Sequence, residues 1–206
     1  MGILERVQIK LPKLLLVEGK DEENFFSAFF KEMGINNIQI IVAGGKRNLK
    51  MSLEAVKRLP DFDDVTAIGI IQDSDENYAA AMNSVYDWLI NLGFSPLRQA
   101  GVFSQKSPAI GIFIMPGDNE NGALEDLCLQ AVQSDPVMNC VKNFIDCIKE
   151  QNPSVSKVSK RECAAYLAGK EELVSSLGLA AQKKYWNFSS PVYATITEFI
   201  RDLSQK

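Results

Sequence analysis

Three carboxylates follow two of the most apolar segments of the chain, at positions suited to binding a metal ion. Glu18 comes directly after the run at residues 14–17, and Asp73 and Asp75 come shortly after the run at residues 67–71. Ligand and metal sites in open α/β sheets form outside the carboxyl ends of the strands. If the two strands are near neighbours, the three carboxylates converge. Side chains alternate in direction along an extended chain, so the Asp-x-Asp spacing aims both aspartates at one point.

A divalent cation is the ligand that these side chains predict. Three carboxylates at one point repel each other and raise one another's pKa unless a cation neutralises them. Mg²⁺ takes oxygen ligands and keeps several waters, which leaves room for substrate phosphates, and Mn²⁺ is the natural substitute. We therefore predict an Mg (or Mn) site at Glu18, Asp73 and Asp75. Glu125 is a candidate further ligand, although the helix dipole also favours an acid in a first helical turn.

Basic residues near the same edge are candidates for binding phosphate. Gly45 and Lys46 lie in the segment AGGKRN, between a predicted strand and a predicted helix, where they can cradle a phosphate. A glycine turn with solvated basic residues explains the segment equally well. Lys20 can contact phosphate or pair with Glu22. Each acidic motif also has a structural explanation that involves no metal, because Asp21 or Asp75 can cap the helix that follows it.

The hydrophobic pattern predicts an α/β fold with a mainly parallel, Rossmann-like sheet flanked by helices. Short runs rich in Val and Ile alternate with amphipathic segments, which is typical of parallel strands joined by right-handed crossovers. The predicted strands are KLLLVEG, IQIIVAGG, VTAIGIIQDSD and AIGIFIMPGD, with LRQAGVFSQ as a weaker candidate. The predicted helices are residues 21–33, 48–59, 76–92, one from near 122, 136–150, 156–168 and 191–204.

The chain is predicted to contain one α/β domain, residues 1–135, with a helical C-terminal extension, residues 136–206, packed on it. An aromatic cluster at Tyr185, Trp186 and Phe188 is expected to dock the last helix on the core, with base stacking as the alternative.

Composition excludes several classes of chemistry. The 206 residues contain no histidine, which removes Ser-His-Asp and Cys-His catalysis and histidine-ligated zinc. The four cysteines form no CxxC pair and fall in helical apolar patterns, so we expect buried free thiols. No secretory signal or membrane-spanning stretch is recognisable, which predicts a cytoplasmic protein without a membrane partner. The net charge of -4 leaves partners open.

Two motifs resemble the Toprim domain of topoisomerases, primases and related nucleases: VEGKD at residues 17–21 and DSD at residues 73–75. The stretches IMPGDNENGALEDL and YWNFSSPVYATITEFI are similar to a Toprim-related group of bacterial proteins of about this length. The resemblance implies a Toprim-like fold, with Glu18 as general acid or base in phosphoryl transfer and the two aspartates binding magnesium. The separate domains that bring a tyrosine or a template groove in topoisomerases and primases are missing here. Hydrolysis is then the simplest chemistry.

Three functions follow as hypotheses. The first is Mg-dependent phosphoryl transfer on DNA or RNA, most simply by a nuclease, with Glu18 as the catalytic residue and Lys20, Gly45 and Lys46 binding phosphate. The alternative is a non-catalytic Toprim-like module that binds metal, nucleotide or a partner protein in a regulatory or defence system. A third makes Asp73 a nucleophile, as in phosphatases that carry a second aspartate two residues on. The oligomeric state stays open, with a homodimer among the alternatives.

Overall fold

A four-stranded parallel sheet forms the centre of the protein in a computed structural model that describes residues 8–206. The strand order is β2-β1-β3-β4, and all three pairings are parallel. The strands are β1 (Lys13–Val17), β2 (Ile38–Val42), β3 (Ala67–Asp73) and β4 (Ala109–Met115). The predicted α/β class and parallel sheet are confirmed. β1 and β3 are the two central strands, and helices cover both of their faces, which explains their unbroken apolar runs.

Eight α-helices surround the sheet within the described residues. In chain order they are α1 (Lys20–Met33), α2 (Leu49–Lys57), α3 (Tyr78–Asn91), α4 (Leu124–Ala131), α5 (Val137–Gln151), α6 (Val158–Ala168), α7 (Leu177–Gln182) and α8 (Ala194–Gln205). Seven of them lie at the predicted places with ends shifted by a few residues. α7 was not predicted, because six residues are too few to show a helical period.

The helices divide between the two faces of the sheet. Residues from α2 and α3 pack on the face that carries Leu14 and Leu16, while α1 and α4 to α8 supply the core on the face that carries Leu15 and Val17. The side chains of β1 therefore alternate between two separate apolar layers. No helix within residues 8–206 is long and apolar enough to cross a membrane.

The C-terminal helices complete the core on one face of the sheet. The rings of Phe199 in α8 and Phe103 stack with centroids 4.9 Å apart. Trp186 and Phe188 are buried, at 1% and 4% exposure, and Tyr185 packs partly buried against the same core, so the cluster docks on the core as expected. The helices after residue 135 share one hydrophobic core with α1 and the sheet, and the boundary at that residue stays a prediction.

Two expectations about smaller features need correction. The weaker strand candidate LRQAGVFSQ is not a strand, since Phe103 makes only an isolated antiparallel bridge to Gly111. Two of the cysteines, Cys140 and Cys147, are exposed. They lie on the solvent side of α5, because Met138, Val141 and Ile145 form its buried side. Cys128 and Cys163 are buried, as expected.

A glycine controls how closely α7 approaches α1, and this gives a stability prediction. A Cβ atom at Gly178 would overlap the Asp21 carbonyl oxygen and the Asn24 side chain, so Gly178→Ala forces the helices apart. We expect a loss of about 1 to 3 kcal/mol in the free energy of unfolding, measured by urea denaturation. Gln182→Ala, at an exposed position of the same helix, is the control and should change stability by less than about 0.5 kcal/mol.

Candidate functional site

The central strands bring Glu18 and Asp73 together at the carboxyl edge of the sheet. β1 and β3 are hydrogen-bonded neighbours with Leu16 opposite Ile70, so the residue after β1 lies beside the last residues of β3. Glu18 Oε1 accepts a hydrogen bond from the Asp73 backbone N–H at 3.2 Å. Two of the three predicted metal ligands are therefore neighbours, joined through the backbone of Asp73.

Asp73 occupies the most desolvated position of this edge. Burial raises its pKa well above the usual 3.8, and the nearby charges of Glu18, Glu22 and Glu125 raise it further. Its Oδ1 accepts a hydrogen bond from the Leu124 N–H at 3.3 Å, at the N-terminus of α4. That contact favours the ionised carboxylate but does not offset the lost hydration.

Burial also raises the pKa of the two glutamates beside Asp73. For Glu18, the hydrogen bond from the Asp73 N–H and the charge of Lys46 partly oppose the effect of burial. For Glu22, burial and the negative charges of Asp21 and Glu125 all raise the pKa. The sequence prediction missed Glu22 as a member of the site. The signal for it was an acidic residue in the first turn of the helix that directly follows Glu18. We call Glu18, Glu22, Asp73 and Glu125 the acidic edge.

Asp75 does not join the other two predicted ligands. β3 ends at Asp73, and Asp75 has a left-handed backbone conformation with φ 54°, so the alternation of an extended chain does not continue to it. Its side chain is 61% exposed and pairs with Lys46 at 2.5 Å. The Lys46 ammonium group also donates to the Asp73 carbonyl oxygen at 2.8 Å. A lysine thus links the two aspartates of the DSD motif.

The capping alternatives for the acidic motifs are wrong. Asn77 caps α3, because its side-chain oxygen accepts from the Ala80 N–H at 2.9 Å. Asp21 lies inside the first turn of α1, whose N-cap is Gly19. The Asp21 carboxylate instead accepts from two N–H groups at the start of α7, those of Leu177 at 3.1 Å and Gly178 at 2.7 Å.

Glu125 lies in the first turn of α4 and has only 15% of its side chain exposed. Lys160 of α6 approaches it to 3.2 Å. The neighbouring Asp126 serves the helix itself, since it accepts from the Ala123 N–H at 2.8 Å. Ser74 fixes the loop before α4, because its hydroxyl accepts from the Gly122 N–H at 2.7 Å. These contacts hold Glu125 on the same side of the sheet as Asp73.

Of the three predicted phosphate-binding residues, Lys20, Gly45 and Lys46, two are already engaged by contacts away from the acidic edge or within the backbone. The Gly45 N–H already donates to the Glu18 carbonyl oxygen at 2.7 Å, so this amide is engaged within the protein. Gly45 has φ 127°, a backbone conformation that side chains rarely adopt. Lys20 pairs with Glu23 at 2.5 Å and not with Glu22. Lys46 is the residue of the three that lies at the acidic edge.

The acidic edge supplies carboxylate donors but does not by itself form a complete metal site. Among residues 8–206, no three acidic or thiol side chains are close enough to hold a metal on their own. Mg²⁺ is commonly bound by one or two carboxylates together with waters and substrate phosphates. Glu18 and Asp73 fit that pattern, since they are adjacent and both desolvated. If an ion binds with its substrate, these are the two residues that would hold it.

An open cleft of about 880 Å³ adjoins the acidic edge. It lies between the start of α3, the loop before α4 and the start of α6, and Glu125 belongs to both the cleft and the acidic edge. Its volume is in the range of ligand-binding clefts, about 300 to 1,000 Å³. Three lysines also line it: Lys46, Lys157 and Lys160. Lys160 lies in α6 and Lys157 is the N-cap residue of that helix, and neither was predicted to contribute to the site.

Comparison with known proteins gives a family for the chain. The family described as "Protein of unknown function (DUF3226)" matches residues 12–205. The chain belongs to this family. The matched residues run from the start of β1 to the end of α8, so the DUF3226 region includes the acidic edge and the cleft. No curated protein and no solved structure matches the chain. Because one fold can support many activities, the function has to be argued from the site.

Proposed function

We propose that the protein carries out metal-dependent phosphoryl transfer on nucleic acid, most simply the hydrolysis of a phosphodiester bond in DNA or RNA. The observation that carries the proposal is the acidic edge, where Asp73 lies desolvated among other carboxylates beside a cleft that contains lysines. Burying several carboxylates together costs free energy unless a cation balances their charge. Such an edge next to cationic side chains suits a substrate that brings both phosphate and a divalent ion.

Glu18 is the proposed acid or base in this reaction. Its pKa is raised by burial, which brings it nearer to neutral pH, where a general base is most effective. It can take the proton from the attacking water and return it to the leaving oxygen. A bound divalent ion supplies charge stabilisation and a lower water pKa at such a site. Lys46, which already lies beside Asp73, would neutralise charge on the phosphate.

Cleavage assays test the proposal. End-labelled single-stranded DNA and RNA should be cut in the presence of Mg²⁺ and left intact in EDTA. Glu18→Gln keeps the size of the side chain and an oxygen that can accept from the Asp73 N–H, but it removes both the proton acceptor and the negative charge that would help to hold the metal. We expect this change to lower the cleavage rate by about 10² to 10⁴.

The matched control is Glu150→Gln, at an exposed position of α5, which should cleave at the wild-type rate. Cleavage that continues unchanged in EDTA, or a Glu18→Gln variant as active as the wild type, would contradict the proposal.

One observation favours the non-catalytic alternative, a module that binds nucleotide or a partner without turnover. Lys46 already supplies a positive charge between the two aspartates of the DSD motif. A built-in ammonium group can balance part of the acidic edge without a metal. This alternative predicts ligand binding that Lys46→Met weakens, and no cleavage of any DNA or RNA with Mg²⁺ present.

A further inference from the structure

The cleft beside the acidic edge is lined by small, polar and charged residues. Small and hydrogen-bonding side chains predominate, among them Ser84, Asn77 and Asn121, together with the three lysines. No aromatic side chain is among the residues that line it within the described part of the chain. Base-binding sites usually stack nucleobases on aromatic rings, worth about 1 to 3 kcal/mol per base. This cleft therefore offers hydrogen bonds and charge, and no stacking platform.

The charges of the cleft are nearly balanced before a ligand enters. Four carboxylates line it against three ammonium groups. Lys46 is paired with Asp75 and Lys160 with Glu125. Lys157 has no carboxylate within 4.0 Å among residues 8–206. An anionic ligand thus meets one lysine without a carboxylate partner and two lysines that can exchange their partners. A divalent ion that enters with the ligand would balance the negative charge of the four carboxylates.

We infer that this cleft binds the sugar-phosphate backbone of a short stretch of a single nucleic acid strand and does not read its bases. The inference rests on the proposed function for the nature of the substrate. Lys157 and Lys160 contact phosphates, while the serine and asparagine side chains face phosphate and sugar oxygens. The acidic edge, which shares Glu125 with the cleft, then lies next to a phosphodiester whatever the sequence. Cleavage by this protein is accordingly independent of base identity.

Oligonucleotides without bases test this directly. Fluorescence anisotropy with strands of about six nucleotides, in the range of known single-strand sites, would compare oligo-dA, oligo-dT and an abasic strand. Ca²⁺ is present as an oxygen-binding cation. We expect the three dissociation constants to agree within about threefold. Lys157→Ala/Lys160→Ala should weaken all three equally and reduce the slope of log K against log salt by about 1.4, since each phosphate contact to a single strand contributes about 0.7.

Two controls keep the result interpretable. Lys142→Ala/Lys149→Ala removes two exposed lysines from α5 and should bind like the wild type. Lys157→Ala alone leaves the Lys160 to Glu125 pair intact, so it separates phosphate binding from the loss of that ion pair, and it should reduce the salt slope by about 0.7.

Three results would overturn the inference: an abasic strand that binds more than about tenfold more weakly than oligo-dT, a double variant that binds like the wild type, or no binding of any strand. The proposed function fails separately. If the abasic strand binds through Lys157 and Lys160 and no strand is ever cleaved with Mg²⁺, the backbone site stands and catalysis does not. If cleavage proceeds while the double variant behaves like the wild type, catalysis stands and the backbone site does not.

Discussion

Asp73→Asn is expected to reduce Mg²⁺-dependent cleavage by about a thousandfold and to leave the protein folded. The asparagine keeps the shape of the side chain and an oxygen that can accept from the Leu124 N–H, while the charge that would bind the metal is lost. Removing one preorganised group that stabilises the transition state typically costs about 10² to 10³ in rate. The rate reduction caused by losing a metal ligand should reach at least the upper end of that range.

Cleavage rates and circular dichroism spectra of the two proteins are the measurements. Asp146→Asn, at an exposed position of α5, is the matched control and should retain wild-type activity. A folded Asp73→Asn variant that cleaves within about tenfold of the wild-type rate, below the cost of one such group, would mean that Asp73 has no part in the chemistry.

Without divalent ions, the acidic edge should make the protein less stable as the pH rises. The pKa values of Glu18, Glu22 and Asp73 are raised in the folded state above the usual 4.5 for glutamate and 3.8 for aspartate. Between the unfolded and folded values the native state binds more protons, so stability falls with increasing pH. At a pH above the folded-state pKa values, the full cost of three ionised, desolvated carboxylates lowers the free energy of unfolding. At a pH below the unfolded-state pKa values, this cost is absent.

Thermal unfolding in EDTA at several pH values, for wild type and Asp73→Asn, measures this effect. The melting temperature of the variant relative to the wild type should increase as the pH is raised through the folded pKa of Asp73, because the asparagine has no charge to desolvate. Adding Mg²⁺ at neutral pH should raise the melting temperature of the wild type and leave that of the variant almost unchanged. A difference between the two proteins that does not vary with pH would contradict the raised pKa.

The sequence predicts the sheet well because its signals are local. The runs that form β1, β3 and β4 are continuous and apolar, as expected for strands covered on both faces. α7 could not be predicted in the same way, because its six residues depend on contacts from the distant Asp21 and on the close packing of Gly178. Such tertiary contacts leave no periodic pattern.

The same distinction between local signals and tertiary contacts applies to the residues of the candidate site. The contact between Glu18 and Asp73 follows from the adjacency of β1 and β3, which the sequence prediction required as a condition and the structure shows. The direction of Asp75 depends on a left-handed residue after the strand end, and the alternation rule cannot foresee it. Lys160 comes from a helix more than thirty residues after Glu125 in the chain, so its place beside the site required the fold.

The central claim is that Glu18 and Asp73 hold a divalent ion, and crystals grown with Mn²⁺ test it most directly through the anomalous signal of the metal. We predict an anomalous peak about 2.0 to 2.2 Å from a carboxylate oxygen of Glu18 and one of Asp73, and its disappearance in Asp73→Asn crystals treated in the same way. A peak at another place on the protein, or no peak at a Mn²⁺ concentration that supports cleavage, would contradict it.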